Sequence, residues 1–331
     1  MLLRLAFNSD NDFRGIHFFQ SLSGPYNKLF SFGKMSLSRL NNPHLDTMSS
    51  DFLYHLNINV ACSQNATDIE QQFGDIRVIC TGGTQKRMKE LAIYLRPILG
   101  IADNSEPVDL CESGQRYAVY KVGPVLCVSH GVGSSTFSVV LHELLKLVRY
   151  AKCEDVVFLR IGTCGGVGVE PGTVIVTEKA YNGCLENVHE FPILGRRVRR
   201  PAFFAQDVVE GILGVGNQPK DSFEIIKANT MATDCFYEGQ GRIDGAVCEY
   251  SEDDKMKFLQ KAHDLGIRNI EMEATMFSSL TRKADVKAGC ICVALLNRLN
   301  GDQVTITMEQ KHEFEQRPFI IVGRYITHLL K

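Results

Sequence analysis

Short apolar runs that end in glycine, each followed by apolar residues at helical spacing, recur along the chain from residue 75 onward. The run from Ile76 to Thr81 ends at Gly82 and Gly83, and residues 85–99 then show the spacing of an amphipathic helix. Further strands are predicted over residues 125–129, 155–161, 173–177, 268–272 and 288–296. Further helices are predicted over residues 134–148 and 309–330, and a third follows the strand at 268–272 and ends at about residue 283. Continuous apolar strands that feed helices are typical of a sheet buried on both faces. The pattern therefore predicts an α/β fold.

The chain contains no internal repeat and no low-complexity linker. A single domain over residues 46–331 is therefore predicted, preceded by a poorly ordered extension over residues 1–45, for which an organelle-targeting role is the alternative. Residues 182–220 are the least regular part of the interior. Their basic cluster, Arg196–Arg200, is interpreted as a solvated loop or helix edge, because no aromatic residues are interleaved with the arginines.

Composition and charge exclude several classes of function. The 331 residues are 44% hydrophobic and 22% charged, with a net charge of −2, so no global field favours nucleic acid or an anionic membrane. No run approaches the roughly 20 apolar residues of a membrane helix. Most of the eleven cysteines lie in apolar runs, and Cys290 and Cys292 have strand spacing, which favours reduced thiols in the cytoplasm and no metal site.

Two arginines lie where an anion-binding site is expected. Arg87 lies one turn into the helix that follows Gly82 and Gly83, so its guanidinium and the N–H groups at the start of the helix are able to share one phosphate. Arg160 interrupts a strand that is otherwise apolar, and a buried arginine needs an anion or an acid. A structural salt bridge is the alternative for Arg160, although the nearby Thr163 and glycines favour a bound oxyanion.

Two further segments carry polar groups suited to a ligand. Gln240 presents an amide donor beside an acceptor and Arg242 a rigid donor fork, so together they are able to bind a heterocycle with two carbonyls and an N–H, with Phe236 against its face. An ordinary solvated glycine-rich loop is the alternative. Glu271 and Glu273 lie at the C-terminal end of a predicted buried strand, at the edge of an open α/β sheet where ligands bind. A solvated turn at a helix N-terminus is the alternative there.

These segments, in this order, resemble the uridine phosphorylases of the nucleoside phosphorylase superfamily, over roughly residues 42–331. The animal type is the closer match. The resemblance is carried by Gly82-Gly83 with Arg87, Arg116, Arg160-Ile161-Gly162-Thr163, Phe236 to Arg242, Ile270-Glu271-Met272-Glu273, Tyr54-His55-Leu56, Tyr120 to Val125 and Leu295 to Leu299. It implies a single-domain fold with a central mixed β-sheet flanked by helices. It also implies a pentosyltransferase of pyrimidine salvage, which converts uridine and phosphate reversibly to uracil and ribose 1-phosphate.

The resemblance implies a role for each site residue. Arg160, Arg242 and Glu273 would be the catalytic residues. Phosphate would be held by Gly83, Arg87, Arg160 and Thr163, with Arg116 supplied across a dimer interface. The ribose would contact His55 of the partner subunit, Met272 and Glu273. Uracil would contact Phe236, Gln240, Arg242, Leu295, Leu296 and Val304. No metal and no cofactor are expected, since phosphate is the co-substrate, and the assembly expected is a homodimer with shared active sites.

Three departures from the family pattern leave an alternative open. Ser134 and Ser135 replace an apolar or glycine residue followed by proline, Cys164 replaces serine, and Ala274 follows Glu273 where serine is usual. A non-catalytic paralogue that binds nucleoside or acts as an interaction protein is therefore one alternative, and a purine nucleoside phosphorylase is another. The pairing of Gln240 with Arg242 argues against the purine enzyme, in which an acid typically acts at N7.

Overall fold

The computed structural model describes residues 40, 42–48, 50–60, 66–102, 105–111 and 116–331. The strands are β1 Phe52–Leu53, β2 Ile58–Asn59, β3 Val78–Gly82, β4 Val119–Val122, β5 Val125–Ser129, β6 Val157–Gly166, β7 Val174–Tyr181, β8 Val188–Ile193, β9 Arg196–Pro201, β10 Ile225–Ala232, β11 Ile267–Glu271 and β12 Lys287–Asn297. The helices are α1 Ala66–Phe73, α2 Gln85–Ile98, α3 Gly133–Tyr150, α4 Gln206–Val215, α5 Glu252–Asp264, α6 Ala274–Lys283 and α7 Met308–Leu329.

One large sheet organises the described residues and confirms the predicted mixed α/β architecture. Its eight strands follow the order β11-β10-β7-β12-β6-β3-β5-β4. β6 is parallel to both β3 and β12, whereas β7 runs antiparallel to β12. β11 pairs in parallel with β10 and also antiparallel with the end of β6, through Asn269 opposite Gly166. This second pairing closes five of the strands into a ring.

The core forms where the helices cover strands that are apolar on both faces. Every residue of β3 and of β5 is buried, because parallel strands inside an α/β sheet have no face toward water. On one side α3 and α6 pack together through Phe137 and Phe277, whose ring centroids lie 5.0 Å apart. The carboxyl ends of β3, β5, β6 and β12 reach the same edge of the sheet, where the loops carry the polar residues predicted from the sequence.

The interpretation of residues 196–200 as a loop or helix edge is wrong. These residues belong to β9, which pairs antiparallel with β8 in an exposed hairpin. Ion pairs join the two sides of the hairpin: Arg199 bonds Glu186, which precedes β8, at 2.5 Å, and Arg197 lies 3.4 Å from Glu190 in β8. Because charges occupy both faces of β9, no apolar alternation marks it as a strand in the sequence.

Most of the extension predicted over residues 1–45 lies outside the described residues. Of that segment the structure describes residue 40 and residues 42–45, which enter a 3-10 turn over Pro43–Asp46, capped by the side chain of Asn42. Within the described residues, no helix has the length and apolar character needed to cross a bilayer.

Candidate active site

A cavity of about 280 Å³ opens at the carboxyl edge of the sheet. Every site residue predicted from the sequence lines it except two. The lining includes Gly83, Arg87, Arg160, Thr163, Phe236, Gln240, Arg242, Met272, Glu273, Leu295, Leu296 and Val304. The two exceptions are His55 and Arg116. Residues up to 221 positions apart in sequence thus meet because β3, β6, β11 and β12 deliver their ends to one place.

Arg160 forms the electrostatic centre of the cavity wall. Its Nη2 atom donates to Glu273 and lies 3.1 Å from Glu271 Oε2, and all three side chains are at most 5% exposed. The guanidinium lies over Gly162, where an added Cβ would come within 2.7 Å of Nη1. The lone arginine of the strand is therefore compensated by two acids from the end of β11.

The two acids have opposite ionisation tendencies. Burial raises the pKa of Glu271 well above its usual value, and the charge of Arg160 does not overcome this. Burial also acts to raise the pKa of Glu273, but the charge of Arg160 and the N–H of Gly133 outweigh it and lower this pKa to about 2. Burial therefore favours the neutral form of Glu271, whereas the pairing with Arg160 favours the ionised form of Glu273.

Glu273 also accepts a hydrogen bond from the first residue of helix α3. Its Oε1 atom accepts from the backbone N–H of Gly133 at 2.6 Å, where the helix dipole favours a negative charge. Glu271 supports the same turn, because its two carboxyl oxygens accept from the N–H groups of Glu273 and Ala274 at 3.0 and 2.9 Å. Three contacts thus orient Glu273: its carboxylate binds Arg160 and the N–H of Gly133, and its own N–H binds Glu271.

Arg87 lines the cavity from the first turn of α2. Thr84 caps this helix by accepting from the N–H of Arg87 at 3.3 Å, and Arg87 Nη2 lies 3.0 Å from Glu315 Oε1 on α7. The Nε atom of Arg87 is buried without a hydrogen-bond partner among the described residues. Gly83 precedes Thr84 and has no side chain, so its backbone is accessible from the cavity. This combination suits an anion at the N-terminus of a helix.

The loop that follows β10 carries the predicted base-binding residues. Arg242 lies over the ring of Phe236, with the guanidinium carbon 4.5 Å from the centroid. Asp244 accepts from Arg242 Nε at 2.8 Å and from Nη2 at 2.5 Å. Gln240 is buried to 3% exposure, and Gly241 has φ of +63°, a conformation that glycine adopts readily. The amide and guanidinium are therefore held as one unit beside the cavity.

Both residues outside the cavity lie on other surfaces of the described chain. His55 Nδ1 lies 2.7 Å from Glu143 Oε1 on α3. Arg116 lines a neighbouring cavity of about 620 Å³, which shares Gly83 and Gly131 with the first. The structure therefore does not bring His55 or Arg116 to the site of their own chain.

Sequence reasoning assigned no site role to two buried basic residues of the cavity wall, His130 and Arg298. His130 follows β5 directly and is fully buried, and neither ring nitrogen has a partner among the described residues. Burial, with the charges of Arg160 and Arg87, lowers its pKa to about 3 against the opposing charge of Glu273. The pattern in the sequence that could have indicated His130 is a histidine between an apolar strand and a glycine. Arg298, the other missed residue, is 1% exposed and follows β12.

The departures from the family pattern fit this site without removing a charged group. The hydroxyl of Ser134 donates to the carbonyl of Met272 at 2.9 Å and so ties α3 to the turn after β11. Ser135 is exposed, Cys164 is buried in the cavity wall, and Ala274 is buried at the start of α6.

Comparison with known proteins agrees with this geometry. The family model of the phosphorylase superfamily matches residues 77–327, so the chain belongs to that superfamily. Uridine phosphorylase 1 of Mus musculus is 40% identical over 289 residues, which cover 87% of this chain and 91% of the mouse protein. The uridine and thymidine phosphorylase of Caenorhabditis elegans is 41% identical, covering 83% of this chain and 90% of its own length.

A solved structure shows the same fold. The crystal structure of uridine phosphorylase from Schistosoma mansoni in complex with 5-fluorouracil matches with a TM-score of 0.82 and 35% identity, covering 87% of this chain and 98% of that one. Within the superfamily, the chain belongs to the animal-type uridine phosphorylases.

Proposed function

We propose that this chain is a pentosyltransferase that cleaves uridine with phosphate, giving uracil and ribose 1-phosphate reversibly, as part of pyrimidine salvage. The observation that carries the proposal is that one cavity is lined both by an anion-binding set and by a base-binding set. The first set is Gly83, Arg87, Arg160 and Thr163, and the second is Phe236, Gln240 and Arg242 with Leu295, Leu296 and Val304.

In this reaction the C1′–N1 bond breaks and a bond from C1′ to a phosphate oxygen forms. Positive charge develops on the sugar, and the electron pair of the broken bond goes to uracil, which leaves as an anion and then takes a proton. Phosphate held by Arg87 and Arg160 stabilises the sugar cation and supplies the nucleophile. Gln240 and Arg242 stabilise the charge that spreads to the uracil carbonyls.

The sugar lies between these two sets. Glu273, ionised and oriented by Gly133, accepts from the ribose hydroxyls, and Met272 packs against the ring. The negative charge of Glu273 also favours the oxocarbenium-like sugar. The low pKa of Glu273 supports this role, because a protonated acid would provide neither the charge nor two acceptor oxygens.

The working unit proposed is a homodimer in the cytoplasm that uses phosphate as co-substrate and needs no metal or organic cofactor. His55 reaches the ribose and Arg116 the phosphate of the partner's site. This assignment is supported by their position outside the cavity of their own chain. It is also supported by the adjoining 620 Å³ cavity, which meets the anion-binding set at Gly83.

The direct test is to incubate the purified protein with uridine, with and without phosphate, and to measure released uracil. Release that depends on phosphate is expected. Arg160→Met is expected to lower the turnover by about 100-fold or more, as loss of an electrostatic stabiliser does. Arg324→Met is the matched control, because Arg324 lies on α7, pairs with Asp221 and is outside the cavity lining. Folded wild-type protein that releases no uracil would refute the proposal.

The same assay separates the other candidates. Cleavage of inosine or adenosine in place of uridine would indicate a purine enzyme, and uracil binding without turnover would indicate a non-catalytic paralogue. Thymidine is a second substrate to test, because the nematode relative is named for both uridine and thymidine.

A further inference from the structure

A buried carboxylate lies behind the base-binding loop and joins three segments of the chain. Asp302 Oδ1 lies 2.9 Å from Arg298 Nε and 2.9 Å from Lys255 Nζ, and its Oδ2 atom accepts from the N–H of Ile243 at 3.1 Å. The three charged side chains are 1–3% exposed. One acid in the turn after β12 therefore holds two cations, one from that turn and one from α5.

This cluster also holds the loop that carries Gln240 and Arg242. Arg298 Nη2 donates to the carbonyl of Gln240 at 3.0 Å, and Asp302 binds the residue immediately after Arg242. Arg298 is part of the cavity wall, and its Nη1 atom is buried without a hydrogen-bond partner among the described residues. The cluster thus lies directly against the uracil end of the proposed site.

The charges in this region do not cancel. Arg242 is paired with Asp244, which also accepts from Gln303, so that pair is neutral. Arg298 and Lys255 share the single carboxylate of Asp302. One positive charge is therefore left over behind the base. Burial acts to raise the pKa of Asp302, but the contacts from Lys255, Ile243 and Arg298 outweigh it and lower this pKa, so the acid is ionised and the surplus is one charge.

A buried surplus charge is costly to stability, since its desolvation is not repaid by a partner. It becomes useful where negative charge develops during a reaction, because a fixed positive charge in a dry site stabilises the transition state without rearranging. Arg242 stabilises a developing negative charge less than its position suggests, because Asp244 already neutralises the charge of Arg242.

We propose that Lys255 is a positioning residue for uracil departure: by sharing Asp302 with Arg298 it leaves one positive charge of the cluster uncompensated, next to the developing uracil anion. Without Lys255, Asp302 would neutralise Arg298, and the region behind the base would carry no net charge. The inference rests on the proposed uridine phosphorolysis. Lys255 lies outside the cavity lining, yet it is expected to affect the step in which the C1′–N1 bond breaks.

The test compares substrates whose bases differ as leaving groups. Lys255→Met is expected to lower kcat for uridine by about 10-fold or more, with little change in KM for phosphate. The loss is expected to be smaller for 5-fluorouridine, because fluorine withdraws electrons from the leaving base and reduces its need for a positive charge. Lys255→Arg keeps the charge and is expected to retain most of the activity.

Lys257→Met is the matched control, because Lys257 lies on the same helix with an exposed side chain paired to Asp253. Asp302 keeps Arg298 and the N–H of Ile243 in Lys255→Met, and circular dichroism and thermal unfolding verify that the variant is folded. If Lys255→Met does not fold, Lys255→Gln is used in its place. Equal losses for the two substrates, or none, would overturn the inference. Wild-type protein that fails to cleave uridine would instead refute the proposed function and remove the basis of the inference.

Discussion

Arg160 and Glu273 are joined through Nη2 and Oε2, in a pair that is almost fully buried yet forms part of a cavity wall. Pairing offsets part of the desolvation cost that either charge would carry alone in this position. Because the same carboxylate also accepts from Gly133, the pair links β6, the end of β11 and the start of α3. The proposed phosphate and ribose contacts therefore share one rigid unit.

Replacing each of the two acids by glutamine is expected to have unequal effects. Glu273→Gln removes a carboxylate that is ionised at neutral pH, and we expect kcat/KM for uridine to fall by about 100-fold. Glu271→Gln replaces an acid whose pKa is raised by burial and keeps one acceptor oxygen for the turn, so a smaller loss of activity is expected. Steady-state kinetics at pH 7 measures both variants. Equal losses would contradict the opposite ionisation tendencies of the two acids.

His130→Phe is expected to change how stability depends on pH. The pKa of His130 is about 3 in the folded chain, against 6.5 for an unperturbed histidine. Between these values the unfolded chain binds more protons, so stability falls as the pH is lowered. The contribution of this group between pH 6.5 and pH 5 is about 2 kcal/mol. Phenylalanine does not titrate and keeps a ring against Phe137, whose centroid lies 4.2 Å from that of His130.

The measurement is urea unfolding of the wild type and His130→Phe at pH 6.5 and pH 5, at one protein concentration. We expect the variant to gain stability relative to the wild type as the pH falls. Parallel losses in the two proteins would show that His130 has a hydrogen-bond partner or is already protonated in the folded state.

Two inactive variants are expected to restore each other if the active site is shared between subunits. Arg116→Ala damages the contribution to the partner's site, and Arg160→Ala damages the site of its own chain. In a mixed dimer, one site then keeps both arginines. Co-refolding the two variants in equal amounts should give about a quarter of the wild-type activity. Activity no higher than that of the separate variants would contradict the shared site.

Ser134→Ala tests the contact made by one of the residues that departs from the family pattern. Loss of the hydrogen bond to the Met272 carbonyl is expected to lower the free energy of unfolding by about 1 kcal/mol. Ser135→Ala, at the exposed neighbour, is expected to change it by less than about 0.5 kcal/mol. Chemical unfolding of both variants measures the difference, and equal effects would show that the Met272 contact contributes nothing.

Local signals in the sequence predicted the parts of the site that lie directly at strand ends. Glycines after an apolar run marked the ends of β3 and β6, and Arg160 was conspicuous because it interrupts such a run. These features lie within a few residues of one another, so a short window contains the evidence for them.

Other parts depended on contacts between distant residues. Lys255 and Asp302 are 47 positions apart, and nothing near Lys255 distinguishes it from the exposed Lys257. The hairpin of β8 and β9 was missed because its strands are stabilised by charged pairs and carry no buried face. The antiparallel pairing of β11 with β6 was also invisible, since it involves Asn269 and a glycine at position 166.

That pairing has a consequence for how ligands enter. A strand held by hydrogen bonds along both sides cannot swing outward without breaking two ladders, so β11 and the acids after it form a fixed wall. The rings of Phe236 and Tyr237, which are 44% and 47% exposed, lie instead on the segment after β10, outside the sheet. An entering nucleoside therefore meets the two acids at positions that the sheet sets.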